Sequence, residues 1–276
     1  MTAIGRSETA HIVALPGRPD ATIRLAWAAT TDTGRRRAAN EDSYVAHSPL
    51  FAVADGMGGH AAGDLASNAV VTRLAEAITA EFLPPEEIER ALEHATSDID
   101  TIAGDSELGV GTTVTGAVLT MIDGAPYFAV FNIGDSRVYS FEHNELTQVT
   151  VDHSVVQELV DSGRLTPREA EHHPDSNIIT RAVGFNVQPT PDLWMVPVRT
   201  GLRLLVCSDG LTKEISDERI RLHLAASLSA SETASALVDA ALASGGRDNV
   251  TTIVVDVLDA PLELDIESTV PRPERH

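Results

Sequence analysis

The chain has 276 residues, 43% of them hydrophobic, and a formal net charge of −21. That length buries a sizeable core, and the acidity disfavours nucleic acid and anionic lipid, which are bound through basic patches. No apolar run reaches the ~20 residues of a bilayer span, the start "MTAIGRSETA" lacks the basic region of a signal peptide, and a single cysteine, Cys207, fits a reducing cytoplasm.

In chain order, residues 1–22, with Gly5, Pro16, Gly17 and Pro19, read as an unpaired arm. "TIRLAWAAT" alternates well enough for a first strand. "FAVADGMGGH", Phe51 to His60, is an apolar strand that meets Asp55 and then places three glycines in four positions. "DLASNAVVTRLAEAITAEF" and "EEIERALEHATSDIDTIA" read as helices separated by Pro84 and Pro85. The second puts Ile88, Leu92, Ala95, Ile99 and Ile102 on one face. From Thr112 the pattern changes to strands, "TTVTGAVLTMI", "PYFAVFNI", "RVYSF" and "LTQVT", joined by turn residues. "SVVQELVDSG" is a short helix closed by Gly163, and "TPRE" opens another with Thr166 and Glu169 as a capping box. "LRLLVCS" returns to strand; helices follow near 217–226 and 231–244, stopped by Gly245 and Gly246, and "NVTTIVVDVL" is the last strand. Without strict β-α alternation, this order predicts antiparallel sheets with packed helices. One α+β domain spans 23–258, and 259–276 is an acidic, Pro-containing tail.

The chemistry lies in a repeated placement. Asp55, Asp135, Asp209 and Asp248 each stand at the end of a strongly apolar strand. Fixed backbones there aim carboxylates at a shared point, where they repel one another unless a cation balances them. Oxygen donors without His or Cys suit Mg²⁺ or Mn²⁺ better than zinc. A phosphate cradle competes with this reading, because "GMGGHA" satisfies the G-x-G-x-x-A dinucleotide pattern between a strand and a helix. Against it, Asp55 would face the pyrophosphate uncompensated, and "EFLPPEE" interrupts where the second strand of a βαβ unit belongs. The glycines are then expected to let backbone, including the Gly56 carbonyl, approach a metal. Upstream, "TDTGRRRAANEDSY" brings Arg35, Arg36 and Arg37 close to Glu41 and Asp42, and an arginine fork beside a carboxylate site suggests a phosphate oxyanion.

Taken together, "TDTGRRRAANEDS", "VADGMGGHAAGDLAS", "GVGTTVTGAVL", "NIGDSRVY", "TVDHSVVQELVDSGRLTPREAEHHP", "LVCSDGLTKEISD" and "GGRDNVTTIVV" resemble the metal-dependent protein Ser/Thr phosphatases of the PP2C (PPM) type, bacterial branch, from about Leu25 to Leu258. The resemblance implies a β-sandwich of two antiparallel sheets flanked by α-helices, in four α-β-β-α layers. It implies two Mn²⁺ or Mg²⁺ ions and hydrolysis of phosphoserine and phosphothreonine on proteins, opposing bacterial Ser/Thr kinases. Asp55 would bridge the metals, with the Gly56 carbonyl on one and Asp209 and Asp248 on the other. Asp135, sharing Asp209, would help hold a third ion. Arg37 would hold the substrate phosphate, and Glu41 and Asp42 would support bound water. Two departures stand out. Eukaryotic members carry a histidine, a proposed general acid, where this chain has Met57, with His60 nearby but not equivalent. Some bacterial relatives place a serine near the third metal where this chain has Asn177. Some relatives also carry a C-terminal membrane tether; "PRPERH" lacks one, so a free cytoplasmic enzyme is expected. A catalytically silent, phosphoprotein-binding relative is the alternative.

Overall fold

Strands rich in β-branched and aromatic residues gather into two sheets in a computed structural model of the chain, which describes residues 1–58, 62–103, 110–170, 173–185 and 188–261. The order is β1 (Ala3–Gly5), β2 (Glu8–Leu15), β3 (Arg18–Asp32), β4 (Asp42–His47), β5 (Leu50–Met57), α1 (Ala62–Glu76), α2 (Pro85–Ala103), β6 (Gly111–Thr112), β7 (Val114–Ile122), β8 (Ala125–Ile133), β9 (Arg137–Glu142) and β10 (Glu145–Gln148). It continues with α3 (Val155–Asp161), α4 (Pro167–Ala170), β11 (Asp192–Pro197), β12 (Arg203–Cys207), α5 (Asp209–Thr212), α6 (Asp217–Leu224), α7 (Ala230–Ser244) and β13 (Val250–Asp259). Among the described residues, one sheet runs β1-β4-β5-β7-β8-β11, with β6 beside β5, and the other runs β10-β9-β12-β13-β3-β2. All these pairs are antiparallel except β1 with β4.

The two-residue period of each strand divides its side chains between two cores. On β5, Phe51 and Val53 meet Phe128, Leu204, Val206, Ile253 and Val255 between the sheets. Leu50, Ala52 and Ala54 turn the other way, onto Val70 and Leu74 of α1 and Leu92 of α2. On the far side, Leu205 and Val254 pack against Ile220 of α6 and Leu237 of α7. The layers are therefore α-β-β-α, and each buried Phe or Leu contributes about 1.5–3 kcal/mol.

The structure departs from the sequence reading at the N-terminal arm, at the end of α1 and in three elements that were not expected. Residues 1–22 are not an unpaired arm: β2 runs antiparallel to β3, and "HIVAL" alternates so that Val13 and Leu15 are buried between the sheets. The helix expected through Phe82 ends at Glu76, and the chain turns so that Leu83 is buried and its amide bonds the Leu119 carbonyl on β7 at 3.0 Å. The strands β4 and β11 and the single helical turn α5 were not expected. The tail from residue 262 lies outside the described residues.

Candidate active site

The carboxylates singled out above meet at one end of the sandwich. Asp55, inside β5 rather than at its end, stands directly opposite Asp42 of β4, so both side chains leave the same face. Two threonines grip the Asp55 backbone. Its N–H donates to Thr113 Oγ1 (3.2 Å), and its carbonyl accepts from Thr112 Oγ1 and the Thr113 N–H (both 2.9 Å). Thr113 Oγ1 also pairs with Ser136 Oγ at 2.9 Å, beside Asp135. Gly134 has φ +114°, and a Cβ there would lie 2.6 Å from Thr113, so the turn that places Asp135 requires glycine.

Asp42 ties the two sheets together. It is fully buried, and its Oδ2 accepts from Ser208 Oγ (2.9 Å) and Thr251 Oγ1 (2.6 Å), while Oδ1 has no partner. Burial pushes its carboxyl up to about 7; the two hydrogen bonds oppose this, and the charges of Asp209 and Asp248 add to it. Asp55 lies well above the usual carboxylate range, through burial and then the charges of Asp42, Asp209, Asp135 and Asp248. Asp135 is pushed up to about 7 by burial and Asp209, against the pull of Lys213. Five aspartates from separate segments thus share one electrostatic environment.

Two cations reach into it. Asp209 opens α5, and the Lys213 N–H bonds its carbonyl at 2.8 Å, which brings the lysine side chain back over Asp209. The ammonium donates to Asp209 Oδ2 and lies 4.0 Å from Asp135 Oδ2, while Asp209 Oδ1 is buried without a partner. Arg37 Nη2 donates to Asp248 Oδ2 at 2.7 Å, and its side chain is 53% exposed. Hydrogen bonding to Asp248 raises the Arg37 pKa further, so it stays charged.

Asn249 shapes the loop that carries Arg37. Its Nδ2 donates to the carbonyls of Thr33 (2.9 Å) and Ala39 (3.0 Å), and its Oδ1 accepts from the Glu41 N–H (2.8 Å). Of the three arginines, Arg35 is structural, bonding the Gly246 and Leu242 carbonyls, Arg36 is exposed, and Arg37 turns toward the acids. The Glu41 carbonyl accepts from Ser67 Oγ (2.6 Å) and the Gly56 N–H (3.3 Å). A Cβ on Gly56 would lie 2.1 Å from the Gly63 carbonyl oxygen, so this glycine makes room for the start of α1.

His60 and His172 lie outside the described residues. Met57 is half-buried at the end of β5, Asn177 is exposed, and His173 accepts the Asp175 N–H at 3.2 Å. The reading by residue type missed Asn249, Thr113, Ser208, Thr251, Lys213 and His153. All six lie in the quoted motifs, but only the acids and arginines drew attention. His153 is buried: its Nδ1 accepts the Gly134 N–H (3.1 Å), and its Nε2 faces both Asp192 Oδ2 (3.1 Å) and Arg181 Nη1 (2.8 Å).

A hard divalent cation fits this donor set, because buried oxygens of Asp42 and Asp209 are unpartnered and Asp55 carries the charge of four neighbours. As placed, no three His, Cys, Asp or Glu side chains among the described residues surround one ion position. Asp209 Oδ2 is turned to Lys213 and Asp248 Oδ2 to Arg37, so an ion that uses either of those oxygens competes with the pair.

The family model described as protein phosphatase 2C matches residues 34–244. The serine/threonine protein phosphatase PstP of Mycobacterium tuberculosis is 43% identical over 245 residues, covering 86% of this chain and 46% of PstP, so the chain spans about half the length of that relative. The serine/threonine phosphatase stp of Listeria monocytogenes is 36% identical, covering 82% of this chain and 93% of stp. A crystal structure of the PstP catalytic domain in complex with two manganese ions superposes with a TM-score of 0.76 at 41% identity, covering 86% of this chain and 99% of that one.

Proposed function

The chain belongs to the protein phosphatase 2C family, and from that premise we propose that it hydrolyses phosphoserine and phosphothreonine esters on proteins, using two manganese or magnesium ions. The observation that carries this reading is the gathering of Asp42, Asp55, Asp135, Asp209 and Asp248 at one end of the sandwich. Unpartnered oxygens of Asp42 and Asp209 are buried there, and Asp55 is raised by burial and then by the other four charges, a concentration of negative charge that divalent cations relieve. When bound, such a pair supplies an acidified water and offsets charge on the phosphoryl oxygens.

The chain's own residues set the rest. Asp55 lies on one sheet and Asp248 just before β13 of the other, and Asp42 ties the two sheets through Ser208 and Thr251, so the backbones that carry these acids are held together before any ligand arrives. Arg37 sits at the exposed rim. Its guanidinium spends one nitrogen on Asp248, and the remaining edge suits a phosphate monoester. Cys207 is buried and its thiol is pushed up to about 12, which disqualifies it as a nucleophile, and in this reading the attack falls to water. The matching substrates are phosphoproteins made by bacterial Ser/Thr kinases.

Purified protein assayed on a phosphothreonine peptide with Mn²⁺, with Mg²⁺ and with EDTA tests this. Turnover that appears with metal and disappears with chelator is expected. Folded protein that turns over nothing with either metal would instead be a binding module for phosphoproteins.

A further inference from the structure

We propose that the Lys213 ammonium is a resident cation of the acidic cluster, filling the gap between Asp209 and Asp135 and closing it to a further divalent ion. The proposal rests on the metal-dependent reading above.

Three observations carry it. The first is placement. α5 is a single turn, and its closing hydrogen bond, Lys213 N–H to the Asp209 carbonyl, sets the lysine four residues past the aspartate and on the same side. Its ammonium bonds Asp209 and stands 4.0 Å from Asp135. The second is anchoring. The Lys213 carbonyl accepts from Arg247 Nη2 at 3.0 Å, and the Arg247 Nε bonds Glu214 at 2.9 Å, whose side chain is only 2% exposed. Ile215 beyond it is buried in the core under α6 and α7. The backbone behind the lysine is therefore held on two sides, and the side chain cannot leave by moving its own turn.

The third is how the two oxygens of Asp209 are used. Oδ2 takes the ammonium, while Oδ1 is buried, without a partner, on a residue 8% exposed. One oxygen is neutralised inside the protein and the other is left for a ligand from outside. Arg37 at Asp248 differs, since its side chain is 53% exposed and its position on the rim lets it exchange Asp248 for substrate. Lys213 is 33% exposed and faces two acids at once, so a divalent ion placed between them must first displace a tethered positive charge.

Equilibrium dialysis against Mn²⁺, with bound metal counted per chain, tests the proposal, alongside thermal melts in EDTA. Wild type is expected to hold two Mn²⁺ ions. Lys213→Gln and Lys213→Met are expected to hold one more and to melt lower than wild type in EDTA, because the acids lose an internal counter-charge. Lys213→Arg, which keeps the charge, is expected to retain the wild-type ion count. Neutral variants with the wild-type ion count, affinity and melting temperature overturn the role of Lys213 and leave the phosphatase reading standing. Wild type that itself holds three Mn²⁺ ions overturns it without any variant, which covers the case in which the variants fail to fold. If no protein in the series binds Mn²⁺, the metal-dependent reading falls and this proposal falls with it.

Discussion

The strands β12 and β13 carry buried charge at both ends, and the two ends are built on opposite terms. At one end Arg203 faces its register partner Asp256, and the guanidinium is fully engaged. It donates to both Asp256 oxygens (2.5 and 2.9 Å), to the carbonyls of Leu224 (3.0 Å) and Leu228 (2.8 Å), and to Thr233 Oγ1 (3.2 Å). At the other end Asp209 and Asp248 join three more aspartates, with Lys213 and Arg37 as the cations in contact. A buried ion pair with all its partners supplied inside the chain serves structure, whereas an excess of one sign is tolerated where a ligand completes it. Acids of one type, a few residues from the same strands, thus have different tasks, and the balance of nearby cations separates them.

Substitutions at the two ends should break in different observables. Asp209→Asn is expected to lower kcat/KM on a phosphothreonine peptide about a thousandfold in saturating Mn²⁺, with little change in melting in EDTA. Activity within about tenfold of wild type would take Asp209 out of the ion shell. Arg203→Ala should do the reverse. Stranding Asp256 costs about 3–5 kcal/mol in denaturant titrations, while the folded fraction keeps its kcat/KM; a loss of activity per folded molecule would show the two ends to be coupled.

A smaller effect is expected at the rim. Arg37→Ala removes a charge-assisted contact worth about 1.5–3 kcal/mol, so KM for phosphopeptide should rise about ten- to a hundredfold with kcat less affected. An unchanged KM would assign the phosphate to another cation. The smallest effect concerns pH. Asp42 and Asp135, ordinarily near 3.8, are pushed up to about 7, so the folded, metal-free protein binds more protons than the unfolded chain between those values. Stability contributed by their protonated forms is lost as pH rises through that window. Melting in EDTA should therefore fall between pH 5 and pH 7.5, and saturating Mn²⁺ should flatten the slope. A rise in EDTA over the same range would contradict the crowding of the acids.

Much of this molecule is legible in the order of its residues, for a physical reason. Apolar strands such as "FAVA" and "LLVC" break sharply into aspartate, and although one such aspartate is ordinary turn chemistry, four at strand ends point to a shared task. The four-layer core follows from the period of two on β5 and β13 and the amphipathic face of α2. The strand β4, "DSYVAH", escaped notice because Ser, Tyr and His interrupt its apolar pattern. The edge strand β11, "DLWMVP", was hidden by flanking prolines, and β2 by the Gly and Pro of its turn. The site was legible in its acids but not in its fasteners. The three hydrogen bonds of Asn249 link residues more than 200 positions apart, and composition does not show them. Lys213 is the chain's only lysine, and nothing in its neighbours ties it to the acids until α5 turns it back over Asp209.

The pairing of β13 with β3 brings Val250 beside Asp32 and, through Asn249, fastens the loop that carries Arg37. The two halves of the rim that carries Arg37 and Asp248 therefore come from early and late parts of the chain, and they meet only in that central pairing. Long-range pairings of this kind close slowly, because loop entropy is lost before contacts reward it. By that argument the rim is expected to form late: α1, α2 and most of the first sheet are synthesised before the residues of β13 exist. The rim is complete only with β13 between β12 and β3.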